Sequence, residues 1–347
     1  MRIIITGNMG YVGPGVISRL RETYPQAELI GYDTGYFARC LTNVDFLPDV
    51  KLSRQIFGDI RSFEDTLLDG VDAVVYLAAI SNDPMGNKYE QITMDVNYLS
   101  AVKMATIAKN KGVKSFVFAS SCSMYGAASD APKKETDTLN PLTAYARSKV
   151  AAEKDLEPLA SEDFNITCLR FATACGYSNR LRLDLVLNDF VAGAITSKEI
   201  SILSDGTPWR PLINVLDMAI AIDWAVARKP ENGGAFLAIN TGSNEWNYQV
   251  KELAETVATI IPDVKTSVNP DAPPDKRSYK VNFDLYKKLA SSHQPKHDLK
   301  MSIKGLYNNL LAMKLDKDYR KSSLIRLQVL NLLQDKRYLD KDLNWNW

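Results

Sequence analysis

The chain of 347 residues contains only two histidines, His293 and His297, and both lie far from every motif described below. Histidine-based acid–base chemistry and a histidine-rich metal site are therefore not expected. Cysteine is scarce too. Cys40, Cys122, Cys168 and Cys175 are scattered, with neither metal-type pairing nor the spacing of a disulfide framework. An excess of one charge is also lacking, because 42 Lys and Arg face 41 Asp and Glu for a net charge of +1. Such a balance gives no overall field to attract nucleic acid or an anionic membrane. No apolar run reaches the length needed to cross a bilayer. The chain opens Met1-Arg2-Ile3-Ile4-Ile5, straight into a strand, so no signal peptide and a cytoplasmic location are expected.

What is present is a strand–helix alternation. Arg2–Thr6, Glu28–Tyr32, Gln55–Phe57, Ala73–Ala78, Ser115–Ala119 and Ile166–Phe171 read as strands, with helices over Val102–Lys111 and Tyr145–Leu159. This rhythm predicts an α/β fold, a doubly wound parallel sheet of Rossmann-like type with a smaller mixed lobe. The sheet domain is expected over residues 1–175, with returning segments at about 206–242. Residues 176–347 are expected to form mainly the second lobe and C-terminal helices. Within them Asp184–Ala194 and Asp217–Ala227 read as helices, 269–274 as a proline-rich loop, and 315–347 as mainly helical, expected to dock on its own chain, with a seam to another subunit as the alternative.

The first strand runs into Gly7-Asn8-Met9-Gly10-Tyr11-Val12-Gly13, with glycines at a G-x-x-G-x-x-G spacing. A tight turn at a helix start lets backbone N–H groups approach a pyrophosphate, so Gly7, Met9, Gly10, Tyr11, Val12 and Gly13 are candidate dinucleotide contacts. Asp33 ends the second strand, twenty residues after Gly13. A carboxylate there accepts hydrogen bonds from ribose hydroxyls and repels a 2′-phosphate, which favours NAD over NADP. Asp59 and Ile60 follow the third strand and are placed beside the adenine, while Leu77, Ala78 and Ala79 end the fourth with small residues.

Tyr145 and Lys149 stand four apart on a helix, so their side chains share one face. An ammonium beside a phenol favours the phenolate and equips the tyrosine for acid–base work.

With these pieces in order, the chain resembles the extended short-chain dehydrogenase/reductase family, in its NAD-dependent nucleotide-sugar epimerase/dehydratase branch. The resemblance rests on Thr6–Gly13, Asp33, Asp59-Ile60, Leu77–Ala79, Asn97, Ser120–Gly126, Tyr145 with Lys149, and the run Thr207–Asp217. It implies that Tyr145 exchanges a proton with a sugar hydroxyl, Lys149 holds the nicotinamide ribose, and Ser121 hydrogen-bonds the same sugar oxygen. Asn97 and Ala119 join the implied NAD contacts. Ser121, Cys122, Ser123, Thr173, Arg180, Arg182, Asn188, Arg210 and Arg277 form the implied substrate side, with Arg210 and Arg277 on the diphosphate. The resemblance also implies a homodimer through the helices at 96–111 and at Tyr145.

Three departures from the family pattern bear on the reaction. Cys122 and Ser123 replace the Asp-Glu pair with which dehydratases deprotonate C5 and protonate the leaving hydroxyl, so 4,6-dehydration is disfavoured. Thr173 stands where many epimerases have asparagine, and Asn214 where a histidine is frequent. A cysteine base in this loop normally precedes the tyrosine by two residues; Cys122 precedes Tyr125 by three, so a packed thiol is the expectation. The leading expectation is a nucleotide-sugar epimerase working through transient C4 oxidation. The alternative is a C4 dehydrogenase or reductase that releases or consumes the keto sugar. A catalytically inactive dinucleotide-binding regulator is disfavoured because Tyr145, Lys149 and Ser121 are all present.

Overall fold

The structure, a computed structural model, describes residues 1–128, 131–268 and 277–346. The proline-rich stretch expected as a loop at 269–274 lies outside them. The first half builds β1 (Arg2–Thr6), α1 (Gly13–Thr23), β2 (Glu28–Asp33), β3 (Arg54–Phe57) and β4 (Ala73–Tyr76). Next come α2 (Asp83–Lys88), α3 (Glu90–Met94), α4 (Ser100–Asn110), β5 (Ser115–Ser121), α5 (Ala144–Leu156) and β6 (Asn165–Phe171).

The second half opens with β7 (Thr173–Cys175), α6 (Val186–Thr196), β8 (Glu199–Ile202), β9 (Trp209–Asn214), α7 (Val215–Ala227) and β10 (Phe236–Thr241). It closes with β11 (Asn247–Gln249), α8 (Val250–Ile260), β12 (Lys265–Val268), α9 (Asp284–Leu289), α10 (Leu299–Ala312) and α11 (Arg326–Asp335).

Seven strands form one sheet in the order β10-β6-β5-β4-β1-β2-β3, every neighbouring pair parallel. The sheet is buried on both faces, which is why Ile3-Ile4-Ile5 reads as a continuous apolar run rather than an alternation. Val16, Ile17 and Leu20 of α1 pack with Ala221 and Ile222 of α7 on one face; Met104 and Ala105 of α4 with Ala152 and Leu156 of α5 cover the other. The order reverses between β1 and β4, and the crevice beyond the strand ends at that point is where such sheets bind ligands. Of the segment 206–242, only β10 joins this sheet. β9 instead pairs with β7 and β11 in a small sheet, and β8 pairs with β12. A second core built from Leu187, Leu253, Ile303 and Leu306 supports that lobe.

Two helix expectations are corrected. Helix α5 ends at Leu156 and tightens into a single 3₁₀ turn, Glu157–Leu159, because Pro158 cannot donate to the helical ladder. In 315–346 only Arg326–Asp335 is α-helical. After it the chain turns back, since Leu339 and Leu343 are drawn into a cluster with Tyr36, Met85 and Tyr89. The Asp340 carboxylate meanwhile takes the backbone N–H groups of Asp342 and Asn344. The α11 helix packs on its own chain, against α2.

Candidate active site

A single cleft of about 1090 Å³ runs along the C-terminal edge of the sheet and into the second lobe. That lies just above the roughly 300–1,000 Å³ usual for a ligand pocket.

Its first end is the glycine turn. Gly7 adopts φ +70°, and an added Cβ would lie 2.6 Å from the Ala78 backbone nitrogen, so only glycine lets the turn lie against the end of β4. A Cβ on Gly10 would meet only the Gly7 carbonyl, at 3.1 Å. Helix α1 begins behind it with no side-chain cap and no acidic residue in its first turn. Its uncapped N–H groups and positive dipole end suit a pyrophosphate, and the residues present therefore fit a dinucleotide. Gly7, Gly10, Tyr11 and Val12 line the cleft. Met9 and Gly13 do not; Gly13 is required because a Cβ would lie 1.7 Å from the Asn8 carbonyl oxygen. The Met9 amide donates instead to the Asp33 carboxylate (3.0 Å), which also accepts from Gly35 N–H (2.7 Å). Burial pushes the Asp33 carboxyl upward, and these two N–H groups oppose the shift. Asp33, Asp59, Ile60, Leu77, Ala78, Ala79 and Ala119 all face the cleft.

The centre of the cleft holds Tyr145, Lys149 and Ser121. Thr143 caps α5 by accepting from the Ala146 amide at 3.2 Å, so Tyr145 falls in the first turn, where the helix dipole favours an anion. Ser121 ends β5, donates to Ser123 Oγ at 3.0 Å and accepts from the Ser123 amide at 3.1 Å. Burial pushes the Tyr145 phenol up to about 12, opposed by the Ser121 hydrogen bond and the Arg182 charge. Burial brings Lys149 down to about 7. Near neutrality it is thus Lys149 that titrates, while the cation that lowers the Tyr145 phenol is the Arg182 guanidinium.

Asn97 lies outside the cleft wall, fully buried in a π-helical turn, Asp95–Leu99. It accepts from Ile80 N–H (2.8 Å) and donates to the Ile80 carbonyl (3.0 Å) and Ser148 Oγ (3.1 Å). Its place is to tie the loop after β4 to the helix carrying Lys149, rather than to touch a cofactor.

The far end brings together Ser123, Thr173, Arg182, Arg210 and Arg277. Arg210, on β9, donates to the Arg277 carbonyl, and Arg277 pairs with Asp83 at the start of α2, so the two lobes meet over the cleft. Arg182 is held by Asp184 (2.8 and 3.0 Å) and donates to Ser81 Oγ at 2.8 Å. Burial alone would raise the Asp184 carboxyl, but the Arg182 guanidinium outweighs it and holds the group below the usual carboxylate range.

Three residues expected on the substrate side lie elsewhere. Cys122 is fully buried with its thiol donating to the Arg170 carbonyl at 3.0 Å, and burial pushes that thiol far above its ordinary range. Its strand-end position turns it into the core while Ser121 and Ser123 face out. Arg180 is buried against Asp49 (2.6 Å), outside the cleft lining. Asn188 is spent on backbone, accepting from Gly176 N–H (3.0 Å) and donating to the Arg182 carbonyl (2.9 Å).

Sequence reasoning missed Tyr36, Arg61, Asp83, Asp184 and Arg326, all of which line the cleft. Only Asp83 carried a local signal: Asn82 caps the Met85 amide at 2.9 Å and Pro84 follows, a helix-start signature. Among the described residues no group of three His, Cys, Asp or Glu could hold a metal ion, and no helix is long and apolar enough to cross a membrane.

The fold and cleft have relatives. A Bacillus subtilis (strain 168) protein, named as an uncharacterized UDP-glucose epimerase, YtcB, is 26% identical over 74% of this chain and 82% of its own length. UDP-glucuronic acid decarboxylase 3 of Arabidopsis thaliana is 26% identical over 83% of each chain. The solved structure of MoeE5 in complex with UDP-glucuronic acid and NAD superposes with a TM-score of 0.76 at 22% identity, over 91% of this chain and all of that one. The family model described as the NAD dependent epimerase/dehydratase family matches residues 3–242, the whole stretch from the glycine turn through Tyr145 and Lys149 to β10. The chain belongs to the NAD dependent epimerase/dehydratase family.

Proposed function

We propose that the chain is an NAD-dependent nucleotide-sugar epimerase that oxidises C4 of the sugar transiently and returns the hydride to the opposite face. The observation that carries this reading is that one cleft joins the glycine turn and Asp33 to Tyr145, Lys149 and Ser121, and then to Arg210 and Arg277. Bound NAD supplies a hydride acceptor and donor at the nicotinamide ring. Lys149 holds the nicotinamide ribose and keeps Tyr145 ionisable. Tyr145 takes the proton of the C4 hydroxyl as hydride leaves C4, and gives it back after the ketone has turned. Ser121 holds the same oxygen. Arg210 and Arg277 take the diphosphate through charge-assisted bonds, and Ser123 and Thr173 border the sugar. The YtcB relative is named for the same reaction class on UDP-glucose.

Elimination of water lacks a carboxylate pair at 122–123, and Cys122 is sealed in the core. A homodimer through α4 and α5, with half-exposed Leu99 at the start of that surface, and a cytoplasmic location complete the proposal.

The test is mass-resolved chromatography of the purified protein incubated with a panel of nucleotide sugars, with and without added NAD. A product of unchanged mass and new retention supports epimerisation and names the substrate. Loss of two hydrogens with NADH formation points instead to a C4 dehydrogenase. Loss of water or of carbon dioxide overturns the reading.

A further inference from the structure

We infer that the C-terminal segment 338–346 is a clamp that holds the adenosine wall of the dinucleotide cleft and so slows the escape of NAD. The inference rests on the reading that NAD occupies the end of the cleft formed by Asp33 and Asp59.

The loops forming that wall are tied to a distant stretch of the chain. Thr34, Tyr36, Asp59 and Arg61 all line the cleft, and each of the two loops is fixed from outside by the same distant stretch of chain. The Trp345 indole N–H donates to the Thr34 carbonyl at 2.8 Å, and Tyr36 Oη donates to the Leu343 carbonyl. Arg61 donates to the Asp342 carbonyl (2.7 Å) and to Asn344 Oδ1 (2.8 Å). The same guanidinium grips Asp59 at 2.6 Å, so the carboxylate expected beside the adenine is aimed by a cation that the tail holds in place. The Trp345 and Tyr36 rings lie 5.7 Å apart.

The tail is itself built for this position. Asp340 accepts from the amides of Asp342 and Asn344, each at 2.8 Å, and from Asn344 Nδ2 at 3.0 Å. Gln334, at the end of α11, donates to the Asp340 carbonyl at 2.9 Å. Leu343 is fully buried and adopts φ +60°, a backbone region unfavourable for a bulky residue. Such a conformation persists only where surrounding contacts over-determine it, and here it sits at the residue whose carbonyl receives Tyr36. An epimerase reuses one cofactor through every cycle, so a wall closed by a remote segment has a use: NAD leaves only when the two loops part from the tail.

Removing the whole segment would strip Leu339 and Leu343 from the core, so point variants are the sharper probe. Trp345→Phe and Asn344→Ala are compared with Lys88→Ala, which cuts the 2.7 Å bond from α2 to Asn331 of α11 away from the adenosine wall. Three readings are taken on the NAD-loaded and NAD-free chain: the dissociation rate of labelled NAD in a chase, amide hydrogen exchange at residues 34–37 and 59–61, and the thermal midpoint without NAD. The expectation is dissociation about tenfold faster in both tail variants, the size of one lost hydrogen bond. Faster exchange in those two loops and a thermal midpoint matching that of Lys88→Ala should accompany it. Dissociation within twofold of the parent chain overturns the proposal, as does a rate increase equally present in Lys88→Ala. A parent chain that takes up no NAD overturns the cofactor reading instead, and the clamp with it.

Discussion

The ammonium of Lys149 sits 4.4 Å over the centre of the Phe118 ring, on the same strand that ends in Ser121, and 5.6 Å from the ring of Tyr145. Ring faces partly replace the water this side chain loses at 1% exposure. The lysine is therefore both a working part of the proposed chemistry and a burden on the fold.

That burden has a sign. The folded Lys149 titrates at about 7 against 10.5 in the unfolded chain. Between those values the unfolded state binds more protons, so stability rises with pH, by at most about 1.4 kcal/mol per unit from this group. Below pH 7 the penalty is fully present. Lys149→Met should therefore raise the thermal midpoint of the NAD-free chain at pH 7, and its advantage should shrink by pH 9. Midpoints measured across pH 6–9 for both chains check this; a constant gap would place the titration elsewhere. Turnover should be lost in the same variant.

Tyr145→Phe removes one oxygen and leaves the ring that packs at the cleft wall. Turnover should fall by about 10³-fold or more, the order attributed to a positioned acid–base group, while the amount of NAD held by the protein stays unchanged. Paired measurement of turnover and NAD content decides it. Retained turnover would remove the central assignment.

Asp33 receives the Met9 and Gly35 amides and faces the cleft. Replacing it by serine should reduce NAD affinity and lift the repulsion of a 2′-phosphate. The NAD to NADP affinity ratio should then drop by about tenfold or more. Titration with both cofactors reads this directly, and an unchanged ratio would place the ribose elsewhere.

Cys122 separates a reactive thiol from a packed one. With its sulfur buried against the Arg170 carbonyl, thiol reagents should leave it untouched in the folded chain. Cys122→Ala should keep turnover within a few-fold and cost about 1–2 kcal/mol of stability. A loss of turnover without a loss of stability would give the thiol a chemical role.

Arg210→Gln and Arg277→Gln should each raise KM for the nucleotide sugar by about 10–100-fold, the loss of a charge-assisted bond to phosphate. NAD binding should be untouched, because both residues lie at the opposite end of the cleft from Asp33. Steady-state kinetics with a parallel NAD titration measures the split.

Local sequence fixed whatever depends on neighbours along the chain. The apolar β-branched runs had to be buried strands, the three glycines had to make a tight turn, and Tyr145 with Lys149 had to share a helix face, because each follows from backbone sterics and side-chain period. What the sequence left open was every pairing between distant segments. Nothing local says that Arg61 meets Asn344 across 283 positions, that Arg277 crosses the cleft to Asp83, or that Arg180 spends its charge on Asp49. Nor does it say that the stretch after Asp335 leaves the helical state its leucines favour. Tertiary burial decided these, because the contacts of Leu339, Leu343 and Trp345 with the β2 loop outweigh a helix propensity of only tenths of a kcal/mol per residue.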